Sequence, residues 1–286
     1  MRPPSFAQRF GFKACRWSFD NDLVPQPQPL FSPPTVFSGT HVSKVLLMGQ
    51  SNMSGWGEGY DADIDGPNDP RIQQWSRDNT VITASERLQH ADFDRIDKTR
   101  VGMGTAFGRA YVETLPANRN VLLVPTAYGA TRLVNGPWLP GGNLFEDAVT
   151  RMEAALASSE AAGNCVAAVL WHQGEGDAAG RVDQETYQST WTDMINTLRS
   201  RIPAAAEAPV ILGEFTPDML ARNRALSEPI ITAIRAIPDR VPFTAVAPSD
   251  GLSSNFGDPV HFDAAAQREY GQRYFDKLGD AVRNCR

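Results

Sequence analysis

The chain has 286 residues, 42% apolar and 21% charged, with 23 Gly and 21 Pro, the make-up of one large folded domain or two small ones and not of a disordered or fibrous protein. Its 27 Lys and Arg stand against 33 Asp and Glu, a net charge of −6, so no basic excess exists to neutralise a nucleic-acid backbone, and nucleic acid is not an expected partner. No run approaches the roughly 18 uninterrupted apolar residues of a membrane span, and the first residues mix Arg, Lys and Asp with aromatics in place of an apolar signal core; a soluble chain without a recognisable signal peptide, cytoplasmic in preference to secreted, is expected.

Residues 1 to 40 carry seven of the prolines, and Pro25 to Pro34 (PQPQPLFSPP) suit extended chain that neither a helix nor a central strand tolerates. They read as an N-terminal arm whose aromatics, Phe6, Phe10, Phe12, Trp17 and Phe19, pack in part against something else. The main domain, 41 to 286, opens with Val42 to Gly49 (VSKVLLMG), the first of five apolar runs; Val121 to Tyr128, Cys165 to His172, Pro209 to Phe215 and Phe243 to Pro248 are the others. Near-continuous apolarity marks strands covered on both faces, hence parallel. Gly104 to Leu115, Asn143 to Ala162, Gln184 to Arg201, Met219 to Ile237 and Asp263 to Arg283 carry apolar residues spaced by three and four and are expected helices. Strand-then-helix units in this order predict an α/β fold, a parallel sheet of about five strands between two helical layers. Residues 56 to 100, rich in Gly, Asp, Pro and Arg, read as an irregular insertion over the site. The three cysteines, Cys15, Cys165 and Cys285, show no metal-ligand spacing, so no metal site is expected; one bridge between the chain ends, Cys15 to Cys285, is compatible with the sequence.

Ligands of open α/β sheets bind at the carboxyl ends of the strands, so the residues that follow each strand carry the functional reading. They are Gly49-Gln50-Ser51-Asn52-Met53, Tyr128-Gly129-Ala130-Thr131, His172-Gln173-Gly174-Glu175-Gly176-Asp177 and, past the last strand, Asp258-Pro259-Val260-His261. A serine hydroxyl needs a base to become a nucleophile, and a base needs a carboxylate to orient it; Ser51, His261 and Asp258 are the right three types. The spacing of three lets Asp258 reach Nδ1 of His261 and leaves Nε2 to face Ser51. The Ser51 N–H, the Gly129 N–H and the Gln173 side-chain amide are the expected donors to an oxyanion. Glu175 competes with Asp258 as the orienting carboxylate, with Asp258 favoured on local geometry. His172 reads as a buried support for its loop, while His41 and His90 carry no pattern. Gln50, Asn52, Arg132 and Trp138 are candidate substrate contacts: Arg132 for an anionic substituent, and Trp138, like Trp56 and Trp171, for stacking on a sugar ring or for plain packing.

The blocks GQSNM (49 to 53), WHQGEGD (171 to 177) and DPVHFD (258 to 263), with AYGATRL (127 to 133) and WLPGGNLFEDA (138 to 148), resemble the SGNH-hydrolase superfamily, and within it the sialate O-acetylesterase-like group that includes carbohydrate esterase family 6. The likeness runs from about Val45 to Tyr274. It implies a flavodoxin-like three-layer fold, a metal-independent and cofactor-free serine esterase mechanism, and removal of acetyl groups from sugar hydroxyls. By position it implies Ser51 as nucleophile, His261 as base, Asp258 as its partner, and Ser51, Gly129 and Gln173 around the oxyanion. Two departures stand out: Gln173 and Glu175 occupy the block where many members have Asn-Asp, and Ala130 follows Gly129 where a second glycine is common. Competing readings are a broader lipase, acyl-esterase or thioesterase, and a non-catalytic carbohydrate-binding module on the same fold. A flavin phosphate site is set aside because residues 49 to 55 lack both Gly-x-Gly-x-x-Gly and Gly-Lys-Ser/Thr.

Overall fold

A computed structural model describes residues 42–66, 69–97, 99–158 and 165–285. The proline-rich arm, Cys15, His41 and the last residues of the helix expected to reach Ala162 lie outside them. The elements in order are β1 (Val42–Gly49), α1 (Ser51–Ser54), α2 (Ala62–Asp65), β2 (Ile72–Trp75), β3 (Val81–Thr83), α3 (Met103–Glu113), β4 (Asn120–Pro125), α4 (Asn143–Ala157), β5 (Cys165–His172), α5 (Glu175–Ala179), α6 (Gln184–Arg201), β6 (Val210–Gly213), α7 (Pro217–Arg222), α8 (Arg224–Ala236), β7 (Thr244–Ala247), α9 (Ala264–Asp276) and α10 (Leu278–Arg283).

The sheet order is β3-β2-β4-β1-β5-β6-β7, parallel throughout except for the antiparallel β2–β3 pair. The three-layer α/β/α arrangement is the one expected, but the sheet has seven strands and not about five. The two extra strands come from the stretch read as irregular. In Ile72-Gln73-Gln74-Trp75 the polar Gln74 is buried, its side-chain carbonyl accepting the Gln89 N–H, and β3 is an exposed edge, so neither strand shows the apolar run that reveals a central one.

The central run of β1 divides between two cores. Val45 and Leu47 face Met103, Phe107, Tyr270 and Tyr274 of α3 and α9, whereas Leu46 and Met48 face Phe145, Met152, Trp191 and Leu198 of α4 and α6. Alternation of side chains along a strand sends each apolar residue to one layer, and a fully buried side chain of this size contributes about 1.5–3 kcal/mol. Helix starts are fixed locally: Asp183 accepts the Thr186 N–H at the head of α6, and Asp263 accepts the Ala266 N–H at the head of α9. The single helix expected over Met219 to Ile237 is two, because Asn223 leaves the helical region (φ −121°, ψ 36°) between α7 and α8. Cys285 is a free, exposed thiol, so the bridge to Cys15 is not formed, and Cys165 is disulfide-bonded instead. No helix among the described residues is long and apolar enough to cross a membrane.

The chain passes from β1 to β2 on one side of the sheet, returns to β4 beside β1, and then crosses over β1 to β5 on the other side, so the strand order reverses at β1 and a crevice opens beyond its carboxyl end, the place where such sheets bind ligands.

Candidate active site

The site begins with a backbone constraint at the end of β1. Gly49 has φ +135°, and a Cβ there would lie 2.0 Å from the His172 carbonyl oxygen, so only glycine fits; the next N–H, of Gln50, donates to that same oxygen at 2.8 Å. The chain then turns into α1 with Ser51 at the sheet edge. His261 arrives from the loop between β7 and α9, which Asp263 anchors by capping α9. Ser51 Oγ lies 2.8 Å from His261 Nε2, and His261 Nδ1 lies 2.6 Å from Asp258 Oδ2. Burial works against the charge of Asp258, but its hydrogen bonds with the His261 ring and the Val260 N–H hold its carboxyl below the usual carboxylate range. An ionised Asp258 can only accept, which puts a proton on Nδ1 and leaves the Nε2 lone pair for the Ser51 hydroxyl proton. The Trp56 ring stacks on His261, centroids 5.2 Å apart and planes 19° from parallel.

Asn52 was expected at the substrate, but it is fully buried and ties the two halves of the site together. Its Nδ2 donates to Val260 O at 3.0 Å and its Oδ1 accepts the Phe262 N–H at 3.1 Å, so it grips the chain on both sides of His261. Glu175 completes this clamp, accepting the other Asn52 Nδ2 proton at 2.8 Å. Glu175 faces Asn52 and, at 3.3 Å, Nε2 of His172; Asp258 is the carboxylate bonded to His261. Burial opposes the charge of Glu175, yet the His172 ring and the Asn52 amide bring its carboxyl below the ordinary value. His172 is buried, with Nδ1 3.0 Å from the Tyr274 hydroxyl, which donates to Trp171 O.

Two of the three expected oxyanion donors are engaged elsewhere. The Gln173 Nε2 group has three acceptors for its two protons, Asp177 Oδ2 at 2.5 Å, Thr131 O at 3.2 Å and Gln50 Oε1 at 3.3 Å, and it lies behind the pocket because Asp177 is itself held there by the Leu133 and Val134 N–H groups. The Gly129 N–H donates to Asp92 Oδ2 at 2.7 Å. The Ser51 N–H makes no hydrogen bond among the described residues. Gln50, expected as a substrate contact and not as an oxyanion donor, has an Oε1 that accepts from Gln173 Nε2 at 3.3 Å and from the Gly176 N–H at 3.2 Å, while its Nε2 has no partner among the described residues and the side chain lines the pocket.

The cleft over Ser51, about 420 Å³, has an aliphatic wall of Met219, Leu226 and Val260 and a polar wall of Trp56, Asp92 and Arg95. Three candidates lie outside it. Trp138 is buried edge-on against Trp171, centroids 5.5 Å apart, with Nε1 donating to Thr131 Oγ1, so both indoles are core. Arg132 is exposed, its guanidinium lying over Gly180. Asp92 and Arg95, the charged wall, went unread because they sit in an aperiodic stretch and meet the site only through the tertiary fold. Among the described residues no group of three or more His, Cys, Asp or Glu is arranged to hold a metal ion.

His90 supports the turn before Gly129: it is fully buried, and its Nδ1 accepts the Ala127 N–H at 3.0 Å. Burial, with Arg151 nearby, pushes its pKa from 6.5 down to about 3. The unfolded chain protonates this ring first, so its contribution to stability is complete above pH 6.5 and is lost as the pH falls toward 3. A slope of up to about 1.4 kcal/mol per pH unit is expected from this one group. Urea unfolding across that range, compared with His90→Asn, whose Oδ1 can still take the Ala127 N–H, checks it: the variant's slope should be shallower by one proton, and an identical slope would remove His90 from the account.

The sequence model of one protein family, described as carbohydrate esterase, sialic acid-specific acetylesterase, matches residues 42–280. A probable carbohydrate esterase of Arabidopsis thaliana is 33% identical over 173 residues, 54% of this chain and 62% of the relative, so the match spans less than two thirds of that protein. Among solved structures, NanS superposes with a TM-score of 0.72 at 18% identity, covering 87% of this chain and 99% of its own. An Arabidopsis thaliana protein superposes at 0.66 and 24% identity, covering 84% and 98%. At these identities the superpositions speak for the fold.

Proposed function

Since the chain belongs to the carbohydrate esterase, sialic acid-specific acetylesterase family, we propose that it is a serine esterase that removes O-acetyl groups from carbohydrates. The observation that carries this reading is the hydrogen-bonded line from Ser51 Oγ through His261 to Asp258 at 2.8 and 2.6 Å, opening into a cleft.

Ser51 Oγ attacks the acetyl carbonyl carbon while His261 Nε2 takes its proton, and Asp258 steadies the imidazolium. The Ser51 N–H and the Gln50 Nε2 amide hold the tetrahedral oxyanion; Gln173, through Gln50 Oε1, turns that amide toward the cleft. As the intermediate collapses, the carbon–oxygen bond to the sugar breaks and His261 protonates the leaving hydroxyl. Water, deprotonated by His261, then splits acetyl-Ser51 into acetate and free enzyme.

Acetate release from a panel of acetylated sugars, against the same sugars unacetylated, tests the activity. In that assay Gln50→Ala is expected to cost about a hundred- to a thousandfold in kcat with little change in KM, the usual cost of one lost oxyanion donor. Gln173→Ala should cost less, because it acts through Gln50; a larger loss for Gln173→Ala would return the donor role to that residue. The aliphatic wall of Met219, Leu226 and Val260 favours a second reading, a broader acyl esterase, and p-nitrophenyl butyrate hydrolysed faster than p-nitrophenyl acetate would select it.

A further inference from the structure

Trp56 stands between the base and the floor of the cleft. Its indole lies flat on the His261 imidazole, ring centres 5.2 Å apart and planes 19° from parallel, and its pyrrole edge reaches the Gly129 turn, where a Cβ would lie 3.7 Å from Nε1. The pair is set from the backbone. Asn255 donates its N–H to His261 O at 2.9 Å and its Nδ2 to Trp56 O at 2.9 Å, so one buried residue fixes both chains. Gly57, next to Trp56, exchanges two hydrogen bonds with Val101, each 3.0 Å, and Arg100 Nη1 adds a second donor to Trp56 O at 3.1 Å. Among the described residues the half-buried indole packs in neither of the two cores and lines the cleft, so filling the interior does not account for it. The His261 side chain is only 19% exposed and bonded at Nδ1 to Asp258; the other charged groups nearby are Asp92, Arg95 and Glu175 along the cleft walls and Arg100, paired with Glu58, behind Trp56.

We propose that Trp56 is a positioning residue of the esterase: its indole face holds the His261 ring in line with Ser51 and Asp258 and stabilises the imidazolium that forms whenever Ser51 or water gives up a proton. The face of an indole carries partial negative charge, attracts a cation within about 6 Å of the ring centre, and does so more strongly where water is excluded. Neutral imidazole gains less from the same contact, so the benefit grows as the proton moves and falls on kcat. With one face taken by His261, this role is distinct from stacking on a sugar ring. The role rests on the esterase reading of the same cleft.

The test replaces Trp56 alone by 5-fluoro- and then 5,6,7-trifluorotryptophan through a reassigned codon, which withdraws charge from the ring face at nearly constant shape. For acetate release kcat is expected to fall stepwise, by about five- to tenfold for the trifluoro ring, with KM little changed and by the same factor on an O-acetylated sugar and on p-nitrophenyl acetate. Trp56→Phe should keep part of the effect and Trp56→Leu none of it, while the fluorinated proteins melt with wild type. Equal kcat across the fluorine series would overturn the role, and so would a loss confined to the sugar and carried by KM, which would make Trp56 a platform for the substrate. Protonation of the His261 ring, followed by its Cε1–H NMR signal, asks the same question without turnover. The trifluoro protein should need a lower pH by about 0.7 to 1 unit, because a weaker ring face favours the cation less, and an unmoved titration would overturn the proposal. Failure of wild type to cleave either ester would count against the esterase, while the titration would still decide Trp56.

Discussion

Replacing Ser51 by Ala is expected to lower acetate release by at least about a thousandfold, because no other hydroxyl among the described residues is bonded to His261 and a triad without its nucleophile retains only the catalysis of its binding groups. Ser51 Oγ is bonded only to His261 Nε2 in the described structure, and the substitution removes a single atom from a tight turn, so folding should be untouched. Residual turnover should show unchanged KM, since the walls of the cleft remain. A melting temperature equal to that of wild type, measured on the same preparation, separates lost chemistry from lost structure. Acetate release within tenfold of wild type from pure variant would mean that Ser51 does not attack the ester.

The second large effect distinguishes the two carboxylates that the sequence left in competition. Asp258→Asn should lower kcat by about a thousandfold or more, because an amide no longer fixes the proton on Nδ1 of His261, and the imidazole can then turn its N–H toward Ser51 and accept nothing. Asp258 is partly exposed, with its carboxyl bonded to the His261 ring and the Val260 N–H, so the variant should melt close to wild type. Glu175→Gln should reverse this pattern. Glu175 is buried against Asn52 and His172; taking away its charge leaves that pair imperfectly met, with an expected loss of about 1–3 kcal/mol in stability and a smaller effect on kcat through the Asn52 clamp. Parallel kcat and melting measurements on the two proteins check both statements, and a steep kcat loss for Glu175→Gln at unchanged melting temperature would exchange the roles.

Much of this was legible in the chain. The run VSKVLLMG declares a strand buried on both faces, and the three-residue interval from Asp258 to His261 brings the two side chains together before any fold is known. What stayed hidden was the direction in which side chains point. Gln173 follows a strand as an oxyanion donor should, yet the buried Asp177, four residues on, draws its amide behind the cleft, whereas the Gln50 side chain lines it. Asn52, beside the serine, looks like a substrate contact until its partners Val260 and Phe262, more than two hundred residues away, are seen on either side of His261. Strands β2 and β3 escaped because a buried glutamine and an exposed edge erase the apolar signature, and Arg95 escaped with them because nothing in its neighbourhood is periodic.

Trapping the covalent intermediate tests the central claim most directly. Wild-type protein mixed with p-nitrophenyl acetate and quenched in acid within the first turnovers should carry one acetyl group, found by mass spectrometry on the peptide that contains Ser51 and absent from Ser51→Ala. Turnover with no acetylated peptide, or an acetyl group on a different side chain that disappears at the rate of turnover, would contradict it.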